Sequence, residues 1–187
     1  MDKKICIIHT ETTGIHETKQ KPNKKNLFEF KRLVILNYII GFYKNNKFVT
    51  EKKVKQIVKP RSMIIPEETI EYHGVTQQIA IEKGVDPELV ISDFYDDLKT
   101  VDILVSHNID FHLRTIIAEA IRYNINMNLT KIVMIDTINF SHDYGFIKLN
   151  DLATKLEIKK IPKTNKNNVE LIKNVFFKLY DNLKKTL

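Results

Sequence analysis

Three short clusters hold the side chains that could do chemistry. His9-Thr10-Glu11-Thr12-Thr13-Gly14 places an imidazole and a carboxylate where a buried strand-like run enters a tight turn. His107-Asn108-Ile109-Asp110-Phe111-His112 brings two more imidazoles and a second acid. Lys163-Thr164-Asn165-Lys166-Asn167-Asn168 adds ammonium and amide groups. If His9, Glu11 and His112 converge, two imidazoles and one carboxylate form a donor set for Mn²⁺ or Zn²⁺. Mg²⁺ fits it poorly, because a hard cation prefers oxygen. Asp110 is a spare acid whose offset should aim it away from such a site. His16 and His73 have no metal-ligand spacing, and His142-Asp143 is a loop pair with no partner in view. Cys6 lies inside the first apolar run and should be buried and inert.

These clusters need elements to position them. Residues 4–9 are apolar and β-branched and read as a strand buried on both faces. Residues 16–32 are polar and lysine-rich around Pro22 and read as a loop, and loops this long are usually functional or disordered. Residues 33–43 form a second strand, Asn45-Asn46 a turn, and 48–58 a third strand with an exposed edge. Pro66-Glu67-Glu68 opens a short helix closed by His73-Gly74, and Thr76 caps the next. Asp86-Pro87-Glu88 opens a helix running to about residue 99. Residues 103–105 are a short apolar strand, 109–123 an amphipathic helix, and 132–135 a last strand ending at Asp136-Thr137. Asn150 caps a short helix. Val169, Ile172, Phe176, Leu179 and Leu183 mark one stripe of a C-terminal helix. A hairpin meander followed by β-α-β units implies an α/β fold, with a mixed sheet, the first strand central and helices on the faces. No internal repeat is evident, so residues 1–187 are expected to be one domain with a lysine-rich insertion loop at about 16–32.

Composition bounds the partners. Lys+Arg number 30 against 23 Asp+Glu, a net charge of +7. That balance favours polyanions such as nucleic acid, although lysines on a solvated face need no partner. No apolar run approaches the length of a membrane span, and the short N-terminal run is not a secretory signal. A single cysteine excludes an intramolecular disulfide framework, so an intracellular site, cytoplasmic or with the nucleoid or nucleus, is expected.

The three clusters also carry a resemblance. His9-Thr10-Glu11-Thr12-Thr13-Gly14 is similar to the first motif, Asp-x-Glu-Thr-Thr-Gly, of the DnaQ-like (DEDD-type) 3′–5′ exonucleases of the ribonuclease H-like superfamily. His107-Asn108-Ile109-Asp110-Phe111-His112 resembles the second, His-Asn-x-x-Phe-Asp. Ile65-Pro66 and Tyr72-His73-Gly74-Val75-Thr76 resemble the family's intervening Pro…His-Gly-Ile-Thr segment, and Asp136-Thr137 also matches its spelling. The resemblance implies a ribonuclease H-like mixed sheet, an antiparallel hairpin meander plus parallel strands, flanked by helices. It also implies phosphodiester hydrolysis by two Mg²⁺ held on carboxylates.

Mapped onto that pattern, the acids are mostly gone. Glu11 is retained. His9 and His112 stand where the family has aspartates, Lys163 where it has its general-base histidine, and Asn168 where it has its last aspartate. Roughly four carboxylates would offset two Mg²⁺. Here the same positions hold one carboxylate, two imidazoles, one amide and one ammonium, so the standard mechanism is expected to be lost. No cofactor is then expected, or Mn²⁺ or Zn²⁺ rather than a Mg²⁺ pair. The first reading is an inactive exonuclease fold that binds a single strand or 3′ end. The family places the terminal nucleotide at Thr12, Thr13, Gly14, His107, Asn108 and Phe111, with Lys163 and residues 19–32 adding attraction. Phe111 reads equally as a core aromatic, and His107 as a structural turn residue. The second reading is a residual nuclease with a His9/Glu11/His112 metal site. The third is a purely structural subunit of a replication, repair or transcription assembly.

Overall fold

The computed structural model describes residues 3–44, 47–139, 147–158 and 168–186. Strand β1 (Lys4–Thr12) lies in the middle of a five-stranded sheet ordered β3-β2-β1-β4-β5. The partners are β2 (Leu33–Lys44), β3 (Lys47–Ile57), β4 (Ile103–Ser106) and β5 (Val133–Asp136). The β1–β2 and β2–β3 pairs are antiparallel, and β1–β4 and β4–β5 parallel, so the sheet is mixed as the element order implies.

Strand alternation decides what each side of β1 meets. Ile5 and Ile7 join Ile39, Val105, Val169, Ile172 and Phe176, the last three from helix α6 (Asn168–Thr186). Cys6 and Ile8 face the larger cluster, with Val90, Ile91 and Phe94 of α3 (Pro87–Leu98) and Ile116 and Ala120 of α4 (Ile109–Arg122). Cys6, Ile7 and Ile8 are fully buried. Burial, then the charge of Asp97, raises the Cys6 thiol well above its usual range.

The remaining helices are short: α1 (Glu67–His73), α2 (Gln77–Lys83) and α5 (Leu149–Lys155). Gly74 ends α1 in the left-handed region at φ 74°, which a residue without Cβ adopts freely. Thr76 caps α2 through Ile79 N–H, and Asp86 caps α3 through Glu88 N–H, as their sequence positions imply. Several ends move by one residue, and two boundaries differ from expectation by more. Asn150 lies inside α5 rather than at its cap. Strand β1 runs on to Thr12, because pairing with β2 continues past a register shift between Glu11 and Thr12. Among the described residues no helix is long and apolar enough to cross a membrane.

Candidate functional site

The longer β1 changes how the first cluster is presented. His9 and Glu11 are two residues apart on a strand and project from the same side as Ile5 and Ile7, towards α6. Asn168 is the first residue of α6. Packing of Val169 and Ile172 against Ile5 and Ile7 therefore delivers its amide to that pair. His9 Nε2 lies 3.1 Å from Glu11 Oε1 and 2.9 Å from Asn168 Nδ2, and Asn168 Nδ2 donates to Glu11 Oε1 at 3.3 Å. Nε2 either donates to Glu11 or accepts from the Asn168 amide, so the three groups lie within reach of one another and share two hydrogen bonds at a time. His9 Nδ1 is buried with no hydrogen-bond partner among the described residues.

His112 arrives from the other side, on α4, and meets Thr10. Thr10 N–H donates to His112 Nδ1 at 3.1 Å, and Thr10 Oγ1 is 2.7 Å from the same atom. A backbone N–H only donates, so Nδ1 must offer its lone pair and carry no proton. His112 Nε2 then bears the hydrogen and donates to the His107 carbonyl at 3.2 Å. The ring is neutral, buried and satisfied at both nitrogens. Burial, and then neighbouring His9, hold its pKa well below the usual imidazole range. Its ring centroid is 4.8 Å from that of His9, yet it has no lone pair left to share. The structure thus does not assemble His9, Glu11 and His112 into the donor set that their residue types allow.

The spare acids are also committed. Asp110 is exposed and pairs with Arg114. Asp136 accepts from Asn108 N–H and Ile109 N–H, both at 2.9 Å, and from Ile138 N–H at 3.0 Å, anchoring the start of α4. Among the described residues no group of three or more His, Cys, Asp or Glu is placed to hold a metal ion. A pair of Mg²⁺ does not fit this set: one carboxylate, already contacted by an imidazole and an amide, cannot offset their charge.

These residues line a cleft of about 560 Å³. His9, Thr10, Glu11, Thr12, Gly14, His107, Asn108, Phe111 and His112 all contribute. Gly14 has φ 139°, which a side chain would strain. Thr13 does not line the cleft: its Oγ1 accepts from Arg32 N–H and its N–H donates to Arg32 O, closing the base of the insertion loop. His107 borders the cleft with both ring nitrogens engaged, by Thr137 Oγ1 at 2.8 Å and the Ile147 carbonyl at 3.0 Å. Lys163 and the pair His142-Asp143 lie outside the described residues.

The sequence reading did not assign Ile15, Thr69, Tyr72 and His73 to the site, yet they complete the cleft. Ile15 and Tyr72 are 83% and 72% exposed, so their apolar surfaces are open for contact at the rim. The signal was present, since Ile15 follows the first motif and Tyr72-His73 belong to the intervening segment. Phe111 is half-buried and stacks on His16, centroids 4.5 Å apart. It is a cleft wall held from behind rather than a core aromatic.

The His112 hydrogen bonds make stability depend on pH. Its folded pKa lies below the unfolded value near 6.5, so on acidification the unfolded chain takes up the proton first. The stabilisation is complete above that pH and is lost as pH falls below it towards the folded value, by at most about 1.4 kcal/mol per pH unit for this group. His112→Asn keeps an acceptor for Thr10 N–H and does not titrate. Melting curves from pH 7.5 to 5 should fall more gently for it than for the parent. Parallel profiles would show that His112 does not carry the dependence.

Comparison with known proteins follows this geometry. A family model described as Exonuclease (RNase_T) matches residues 6–163. No curated protein sequence matches the chain. Among solved structures, an SSB/exonuclease I in complex with the inhibitor CFAM superposes with a TM-score of 0.74 at 13% identity, over 99% of this chain and 44% of that one. A moderately thermophilic exonuclease I from Methylocaldum szegediense gives 0.72 at 14% identity, over 96% and 40%. E. coli exonuclease I in complex with a dT13 oligonucleotide gives 0.68 at 13% identity, over 96% and 40%. The chain spans less than half the length of these exonuclease I chains, and at such identities the likeness is one of fold.

Proposed function

The chain belongs to the RNase_T exonuclease family, and from that premise we propose that it binds single-stranded nucleic acid in the cleft without hydrolysing it by the two-metal route. The observation that carries this reading is the set of contacts at the former acid positions. Glu11 accepts from Asn168 with the His9 ring nitrogen against both, and His112 uses both its nitrogens on Thr10 and His107. A cleft with one carboxylate repels phosphate less than one with four, so losing the acids favours binding as it removes catalysis. Tyr72 and Phe111 offer aromatic faces on which bases stack with little sequence preference. Exonuclease I bound to dT13 supports the same choice of ligand on this fold.

Fluorescence anisotropy with labelled single strands in EDTA, run beside a degradation assay with Mg²⁺, Mn²⁺ and Zn²⁺, tests the proposal. Expected are metal-independent binding that weakens steeply with salt, no shortening of the strand, and a loss of about 5- to 150-fold in affinity for Tyr72→Ala. Degradation that vanishes in Glu11→Ala would overturn the inactive reading in favour of a residual nuclease. Absence of binding at low salt would favour a structural role in a replication, repair or transcription assembly.

A further inference from the structure

The insertion after Gly14 is polar in composition but firmly built. Its neck is closed by Thr13 and Arg32, and a second closure inside it joins Glu17 N–H to the Glu29 carbonyl at 2.9 Å. A single 3₁₀ turn, Leu27–Glu29, follows the lysines. The loop lies along α4. His16 Nε2 meets Thr115 Oγ1 at 3.0 Å while its ring stacks on Phe111, and Arg114 donates to the Thr18 carbonyl at 3.0 Å. Further along, Arg122 donates to the Leu27 and Phe30 carbonyls at 2.7 and 2.8 Å.

What this frame displays is one-sided. Of the loop's basic residues, Lys31 is paired with Glu17 at 2.6 Å and Arg32 is turned inward to Glu119. Lys19, Lys21, Lys24 and Lys25 are exposed, and no ammonium among them has a partner among the described residues. Glu29 is the remaining acid of the stretch. Phe28, beside them, is 78% exposed. The loop leaves directly from the cleft, through Gly14 and Ile15, and the ring contacts Phe30–His16 and His16–Phe111 tie it to the cleft wall. A fixed scaffold carrying unpaired cations around an exposed aromatic is the combination that holds a single strand, with phosphates on the cations and a base on the ring.

We propose that the loop of residues 15–31 is a second contact surface for the same strand: Phe28 stacks a base, and Lys19, Lys21, Lys24 and Lys25 hold phosphates beyond the cleft. The inference rests on the single-strand reading above and adds a length requirement to it. A strand short enough to sit in the cleft ignores the loop, and a longer one gains from it.

Phe28→Ala and a quadruple Lys→Gln variant at 19, 21, 24 and 25 test this. Affinities would be measured with oligo-dT of about 4 and about 16 nucleotides, the range such grooves occupy. Both variants alter exposed side chains, so their melting temperatures should match the parent's. Expected is unchanged binding of the short strand, a loss of about fivefold or more on the long strand for Phe28→Ala, and a shallower salt dependence for the lysine variant, by about 0.7 per lost phosphate contact. Parent and variants binding the long strand equally would overturn the loop's role and leave the cleft reading standing. A parent that binds neither length would overturn both.

Discussion

Replacing His9, His112 and Asn168 together by aspartate is expected to lower the melting temperature by roughly 10 °C in metal-free buffer, from a loss of about 3–5 kcal/mol. Millimolar Mg²⁺ is expected to recover much of it. The parent has one carboxylate in this group, Glu11, bonded to His9 and Asn168. The variant would have four, and carboxylates sharing a site oppose one another's ionisation. Position 112 is the most costly, because the side chain is 4% exposed and its Nε2 donates to the His107 carbonyl. A carboxylate there would face that oxygen with nothing to give it. A cation bound by the folded chain alone repays such a cost, by about 2.7 kcal/mol at a hundredfold excess over its dissociation constant. The parent, with its lone carboxylate already engaged, should melt at the same temperature in Mg²⁺ and in EDTA. Thermal melts of both proteins in both buffers decide the matter. A variant that ignores Mg²⁺, or a parent that responds as strongly, would mean that these three positions are not a former acid cluster.

How much of this was legible beforehand depends on how far apart the partners lie in the chain. The run at 4–9 announced a central strand, and Thr76 and Asp86-Pro87 announced their helix starts, because each signal is local. The end of β1 carries no such local signal, since Thr10, Glu11 and Thr12 have no apolar pattern and are held in the sheet by Leu33–Leu36 of β2. The identities at 9, 11, 112 and 168 could be read from motif spelling. The protonation of His112 could not, because it follows from a hydrogen bond to an amide 102 residues away. His16 looked inert by ligand spacing. Its importance lies in three contacts distant in sequence, Lys31 N–H, Thr115 and Phe111. The polar stretch at 16–32 gave no periodicity at all. Its order comes from α4, through side chains that a pattern of apolar residues does not reveal.

The strongest of those fastenings is Glu119, and its removal should be severe. The residue is 1% exposed, in the third turn of α4, an unusual place for a carboxylate. Its Oε1 accepts from Arg32 Nε at 2.8 Å, Arg122 at 3.0 Å and Leu33 N–H at 3.1 Å, and its Oε2 from a second Arg32 nitrogen at 3.3 Å. One acid thus joins α4 to the end of the insertion loop and the start of β2. Glu119→Ala would leave two guanidinium charges without their buried counter-ion and the Leu33 N–H without its acceptor, a loss of about 3–5 kcal/mol for a partner removed from a buried pair. For a chain of this length that is roughly a 10 °C fall in melting temperature. Global stability alone would not distinguish a clasp from any other core contact, so local opening is the second readout. Trypsin should cut the variant early at Lys19, Lys24 and Lys25, well below its melting temperature, while the parent resists. Glu119→Gln, which keeps an acceptor for Leu33 N–H but loses the charge, should fall between the two. An Ala variant that melts early yet keeps its loop uncut would show that Arg114 and His16 hold the insertion by themselves. The loop surface would then owe nothing to Glu119.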